Sequence, residues 1–160
     1  MNRVEISFQD ISAPLWADAL EAFCLKALGA LEIGDWELSV LLCGRETIKE
    51  LNCRYRGIDQ PTDVLSFELG VESPENGGRY LPGDIIISLD NLRENSIYFR
   101  IPEDEELRRL LVHGILHLKG MDHKTNEQNE PMLVLQEEIL KKLEGNRILP
   151  EKTQNGRGEW

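Results

Sequence analysis

The chain's three histidines all fall in one stretch, His113-Gly114-Ile115-Leu116-His117-Leu118-Lys119-Gly120-Met121-Asp122-His123, and nowhere else can it offer imidazole to a metal or a proton transfer. His113 and His117 are four residues apart. On a helix they share one face with Cβ atoms about 5–6 Å apart. Two nitrogens of one zinc ion can span that reach. His123 would point about 120° away from the pair on an unbroken helix. Gly120 intervenes, and glycine stops helices because it enters left-handed dihedrals without a Cβ penalty. The turn it allows would fold His123 back. The stretch therefore predicts two ligands on a helix, a turn and a third ligand, together holding one Zn2+ per chain. Three neutral imidazoles leave a fourth position open to water, as in catalytic rather than structural zinc sites. Zinc can bring the pKa of such a water to about 7. Any one of these histidines alone would be read as an ordinary core or surface residue; three of three at this spacing favour the metal. A closed structural site with Cys53 as fourth ligand is the other alternative, weakened because no cysteine lies near the histidines in sequence.

The spacing His-x3-His-x2-Gly-x2-His is also that of the metzincin peptidases, where a glutamate after the first histidine is the general base. Here that residue is Gly114, which cannot move a proton. The metal frame is present without the peptidase base, so peptide hydrolysis by that route is not expected.

The elements that must position this stretch follow from periodicity and punctuation. Val4 to Phe8 alternates as a half-buried strand does. Ser12-Ala13-Pro14 opens a helix with Leu15, Ala19, Leu20, Phe23 and Ala27, ending near Gly29. Trp36 to Cys43 reads as a second strand, about Glu46 to Tyr55 as a second helix, residues 56–61 as loop and Val64 to Glu68 as a third strand. Residues 70–83, rich in glycine and proline, read as a mobile loop. Asp84 to Ser88 is a fourth strand whose consecutive apolar residues need cover on both faces. Leu89 to Phe99 is helical. Pro102 then opens the histidine helix, and Glu103 to Glu106 suit the dipole of its first turn. On it Leu107, Leu111, Ile115 and Leu118 share a stripe, with His113 and His117 well over about 90° from the centre of that stripe. The helix is expected to pack by one side and present the histidines on another, as a cleft wall. A last helix runs from about Glu127 to Leu143. The whole reads as one domain, residues 1–146, with 147–160 a flexible tail.

Composition sets outer bounds. Apolar content of 41% and charged content of 29% are globular, and no apolar run approaches the ~20 residues of a membrane span. Met1-Asn2-Arg3-Val4-Glu5-Ile6 is acidic where a signal peptide would be apolar, so a cytoplasmic location is expected. Cys24, Cys43 and Cys53 form no CxxC pair and read as buried free thiols. A net charge of −11 argues against broad attraction to nucleic acid, so a polyanion site must be local and concave, with a positive cleft.

The histidine stretch, His113-Gly114-x-Leu116-His117-Leu118-x-Gly120-x-Asp122-His123, resembles the signature of the YbeY endoribonuclease family, the bacterial rRNA maturation factors. Leu51-Asn52-x3-Arg56, Pro61-Thr62-Asp63-Val64-Leu65-Ser66-Phe67 and Gly83-Asp84-Ile85 resemble that family's other blocks, in the same order. Met132 and Glu138 fall in its C-terminal helix. The likeness spans nearly the whole chain except the tail. Met121 stands where the family often has an aromatic residue. The resemblance implies an α+β fold: a single zincin-like domain, a mixed sheet of about four strands packed against helices, and the metal-binding helix-turn in a cleft. It implies a zinc-dependent, single-strand-specific endoribonuclease of small-subunit rRNA maturation and ribosome quality control. Its partners would be rRNA precursor and the small ribosomal subunit or its proteins, with no membrane and no DNA. The rival readings are a non-catalytic assembly factor with a stabilising zinc, and a metallopeptidase-like hydrolase.

Arg56 is the candidate phosphate-binding residue, because a planar fork of donors suits phosphate and the charge that grows on it; it also matches the family's functional arginine. Arg56 and His113 are thus the catalytic candidates, and His113, His117 and His123 the metal ligands. Asp122 would accept a hydrogen bond from a ligand imidazole or cap the turn. Ser66 and Asp84 are turn or strand-edge residues that could also touch substrate. Tyr55, Phe67 and Tyr80 could stack bases or pack in the core.

Overall fold

A computed structural model describes residues 1–73 and 78–150. The described elements run β1 (Arg3–Gln9), α1 (Ala17–Ala30), β2 (Glu37–Cys43), α2 (Arg45–Arg56), β3 (Val64–Ser73), β4 (Arg79–Ser88), α3 (Leu89–Phe99), α4 (Glu103–Leu118) and α5 (Pro131–Lys142). The strands form one mixed sheet in the order β1-β2-β4-β3, parallel except for the antiparallel edge strand β3. This is the expected α+β domain of four strands and surrounding helices.

Side-chain alternation divides the sheet's two faces. Val4, Leu38, Val40, Leu42, Ile85 and Ile87 join the main core with residues of α1, α4 and α5. Cys43, Leu65 and Ile86 face the other way, onto Ile48 of α2. The unbroken Ile85-Ile86-Ile87 run is apolar because β4 is covered on both faces.

Several elements differ from the sequence reading. The glycine- and proline-rich stretch is largely strand: β3 extends to Ser73 and β4 starts at Arg79. Residues 74–77, also read as loop from the sequence, lie outside those described. Gly83 lies inside β4, at φ +139, where a Cβ would sit 1.9 Å from the Phe67 carbonyl oxygen. Only glycine lets the two backbones meet there, next to the register shift between Glu68 and Val71,. Helix α1 begins at Ala17, beyond Pro14, and α5 begins at Pro131, leaving residues 123–130 as loop. Arg56 is the last residue of α2 rather than part of a loop. Cys24 and Cys43 are buried, and burial pushes both thiols up to about 12. Cys53 is exposed, contrary to expectation.

The packed chain also continues past the expected boundary at 146. Ile148 and Leu149 are buried in the main core. Their amides both donate to Asp104 Oδ1, at 2.7 and 2.8 Å, while Asp104 Oδ2 accepts from Arg108 Nε at 2.9 Å. Asp104 therefore does more than complement the dipole of α4; it ties Ile148 and Leu149 to that helix. Replacing Asp104 by alanine strands Arg108 and two amides, and should cost about 3 kcal/mol. Denaturant unfolding measures that cost, and amide exchange at Ile148 and Leu149 should quicken with it; unchanged protection of those two amides would contradict the assignment.

Candidate metal centre

Helix α4 places the first two histidines, and the way it ends places the third. After Lys119, Gly120 takes φ +100. Its amide donates to His117 O at 2.9 Å, and the Met121 amide to Leu116 O at 3.0 Å. That pair of bonds is a Schellman termination, with Met121 packed back on the core,. Gly120 thus stops the helix as its position in the sequence suggests. The reversed chain carries Asp122 and His123 over the His113–His117 face. One ring nitrogen from each of the three histidines then lies within 4.8 Å of the others.

The hydrogen bonds fix which nitrogens these are. His113 Nδ1 faces Gln136 Oε1 at 2.8 Å, His117 Nδ1 faces Met121 O at 3.1 Å, and His123 Nδ1 faces Thr125 O at 2.8 Å. Each partner is an acceptor, so each Nδ1 carries the proton and each Nε2 presents a lone pair. The Gln136 amide is oriented by its own donor, since Nε2 reaches Glu137 Oε2 at 3.1 Å. His113 Nε2 and His117 Nε2 approach to 3.0 Å. Two lone pairs at that distance repel unless a cation lies between them. A tetrahedral ion with 2.0–2.1 Å bonds would set its nitrogens about 3.3 Å apart, a small opening of the observed pair. The donor set therefore fits a divalent metal of the zinc type. Burial holds the His113 imidazole below its ordinary pKa, keeping it in the neutral form that ligation needs,.

The histidine helix is less one-sided than its main stripe suggests. Leu110, Val112, Gly114 and Leu116 are buried as well, so α4 is covered on most sides and opens at His113 and His117. Gly114 packs against β4: a Cβ there would lie 2.9 Å from Ile85 Cδ1. The residue that would be the peptidase glutamate thus points into the sheet, with no room for a carboxylate. The position is glycine for packing, and its lack of a proton-transfer group follows from that.

His113 and His117 open into a cleft of roughly 680 Å³ that also borders Arg56, Ser66, Phe67, Glu68 and Asp122. Edge strand β3 forms its opposite wall. Ser66 pairs with Ile85, whose side chain faces Gly114, so Ser66 lies on the α4 side of the sheet,. Arg56 comes from α2, on the other side, and donates from Nη2 to the Ser66 carbonyl at 2.9 Å. Its guanidinium lies over Phe67, 5.6 Å from the ring centroid. Asp122 Oδ1 accepts from the His123 amide at 2.8 Å; of the two roles considered for it, the turn cap is the contact present. Asp84 is not brought in. It pairs with Phe67 and alternates with Ile85, which puts it on the α2 face, and partial burial raises its carboxyl pKa. Cys53 borders a different surface, with Asp10, Thr47 and Asp59, which removes it as a fourth ligand. Among the described residues the charged side chains lining the cleft are one arginine and two carboxylates, so the expected positive cleft is not present in the protein alone.

Sequence reasoning missed Gln136. It is 6% exposed on α5, four residues after Met132 and three before Ile139. A polar residue inside that apolar stripe was the available signal. Gln136 leads to Glu137, which Arg109 grips at 2.9 and 3.1 Å, and Arg109 also holds Glu105. The Glu137 carboxyl accordingly sits below its usual pKa, chiefly through Arg109. A glutamine held this way fixes the ring and tautomer of His113. Gln136→Met keeps the volume and removes the acceptor, and zinc affinity should fall roughly 10–100-fold without loss of the apo fold. Competition with a chromogenic chelator reads the affinity, and an undiminished value would remove Gln136 from the site.

Comparison with known proteins shows the family. A family model described as Endoribonuclease YbeY matches residues 4–144. The Treponema pallidum (strain Nichols) protein named Endoribonuclease YbeY is 46% identical over 142 residues, covering 88% of this chain and 89% of its own. A Treponema denticola protein of the same name is 46% identical over 143 residues, covering 87% and 92%. The solution structure of the TM1509 protein from Thermotoga maritima superposes with a TM-score of 0.61 at 29% identity, covering 96% of this chain and 99% of that one.

Proposed function

The chain belongs to the YbeY endoribonuclease family, and on that premise we propose that it is a zinc-dependent, single-strand-specific endoribonuclease of small-subunit rRNA maturation and ribosome quality control. The observation that carries the zinc dependence is the convergence of three Nε2 lone pairs whose Nδ1 protons are all committed to acceptors. His113, His117 and His123 would hold the ion. When bound, zinc supplies a Lewis acid and a water acidic enough to ionise near neutral pH.

The chain's own groups do the rest. Arg56, anchored by the Ser66 carbonyl and the Phe67 ring, borders the cleft. There it would hold the phosphate and stabilise charge on the phosphoryl oxygens. No side chain stands where the peptidase base would be, so the attacking water has no proton acceptor at position 114 and its ionisation would rest on the acidity that zinc confers. The substrate is rRNA precursor in single-stranded regions, met on the small ribosomal subunit. Among the described residues no helix is long and apolar enough to cross a membrane, and we place the protein with its substrate in the cytoplasm.

Two rivals meet specific obstacles. A stabilising zinc of the closed kind needs a fourth protein ligand, and the described cluster has three. A peptidase needs a base where Ile85 leaves no room. Incubating the protein with unstructured RNA and with peptide, with and without chelator, separates all three. RNA alone should be cut, and only without chelator; peptide cleavage, or RNA binding with no cleavage in either condition, would refute the reading. A 2′,3′-cyclic phosphate on the products would assign the attack to the ribose 2′-hydroxyl instead of water.

A further inference from the structure

The sequence offers Tyr55 and Phe67 as aromatic residues with either a packing or a stacking use, and the structure separates their roles. Phe67 does both. Its ring backs onto the smaller core under α2, and the residue also borders the metal cleft. Tyr55 is 62% exposed, an unusual state for a tyrosine whose ring touches another aromatic. Its centroid lies 5.3 Å from that of Phe67, with the planes inclined at 59°. Tyr55 is therefore braced by Phe67 while most of its side chain is open to solvent. The next residue of α2, Arg56, rests on the same Phe67 ring and on the Ser66 carbonyl, and Arg56 and Phe67 both border the cleft that His113 and His117 line. Tyr55 and Arg56 thus share one support, Phe67, at the border of the cleft.

We propose that the exposed ring of Tyr55, braced by Phe67, is a stacking site for a nucleobase of single-stranded RNA, adjoining the phosphate that Arg56 holds. This rests on the endoribonuclease reading above and names a feature of its substrate. The chemistry favours a base over an apolar protein segment because the platform shares its support with a guanidinium that is not paired to a carboxylate but to a carbonyl and a ring. Because Tyr55 and Arg56 both rest on Phe67, a strand with its phosphate on Arg56 carries a flanking nucleoside toward the Tyr55 ring. A stacked base must be free of its helical neighbours, so the site would select unpaired RNA without reading its sequence. The same arrangement lets a chain of net charge −11 bind RNA with little basic surface.

Steady-state cleavage of an unstructured RNA oligomer by the zinc-loaded full chain tests this. Tyr55→Ala should raise KM roughly tenfold or more at an unchanged kcat, since stacking away from the reacting bond contributes equally before and at the transition state. Tyr55→Trp should keep the wild-type KM. Tyr98→Ala, which removes an aromatic that is 80% exposed on α3, should change nothing. An abasic ribose-phosphate oligomer should inhibit wild type and Tyr55→Ala equally. A wild-type KM in Tyr55→Ala overturns the proposal, and so does an equal loss of affinity for the abasic competitor, which would mean that Tyr55 acts through Arg56. Failure of the wild-type protein to cut RNA would be the failure of the endoribonuclease reading itself.

Discussion

His117→Ala should abolish RNA cleavage and remove the thermal stabilisation that zinc gives the wild-type protein. Structural zinc sites bind with about 10–16 kcal/mol across four ligands, or about 2.5–4 kcal/mol per ligand. Losing one should weaken binding roughly 10²–10³-fold. The effect on the fold runs the other way. In the metal-free protein His113 and His117 present two lone pairs at 3.0 Å, so the alanine variant loses a repulsion and should melt no lower than the apo wild type. Zinc at about 100 times its Kd stabilises the wild type by ~2.7 kcal/mol, a rise of roughly 5–10 °C in Tm for a chain of this size. The variant should show no rise. A wild-type zinc shift in His117→Ala would mean that the ion, where it binds, is not held by this cluster.

Arg56→Ala is the second large effect, of the opposite kind. Arg56 holds no metal ligand in place: its contacts are the Ser66 carbonyl and the Phe67 ring. Zinc affinity should be retained, and stability should change by no more than about 0.5 kcal/mol, as for a surface substitution. The rate should fall roughly 10²–10³-fold, the usual cost of removing a donor aimed at developing charge. Arg56→Lys should recover only part of it, because an ammonium restores the charge without the fork. Kinetics on unstructured RNA, with zinc binding measured on the same preparations, separates the two quantities. Cleavage by Arg56→Ala at the wild-type rate would exclude it from the mechanism.

Much of the site could be read from sequence because its parts are local. The four-residue step from His113 to His117 needs only helical geometry, and Gly120 announces the turn that returns His123. The run Ile85-Ile86-Ile87 declared a strand covered on both faces. What escaped depends on pairings between distant segments. Asp84 and Ser66 looked alike, yet register sends Ser66 to the cleft side and Asp84 to the α2 side. Gly83 and Pro82 read as loop because the close approach that demands glycine is made with Phe67, on another strand. Gln136 lay on a helix whose partner was unknown, so its polarity had no assigned neighbour. Ile148 and Leu149 are too short an apolar run to signal burial, and only the Asp104 carboxylate explains their docking.

The central claim is that three imidazoles hold one ion on which RNA hydrolysis depends. Metal-stripped protein, titrated with zinc while cleavage of an unstructured RNA is followed, tests it most directly. Activity should start near zero, rise in proportion to added zinc and level off at one equivalent per chain, with His117→Ala flat throughout. Stripped protein that cuts at the full rate, with added zinc changing nothing, would contradict it.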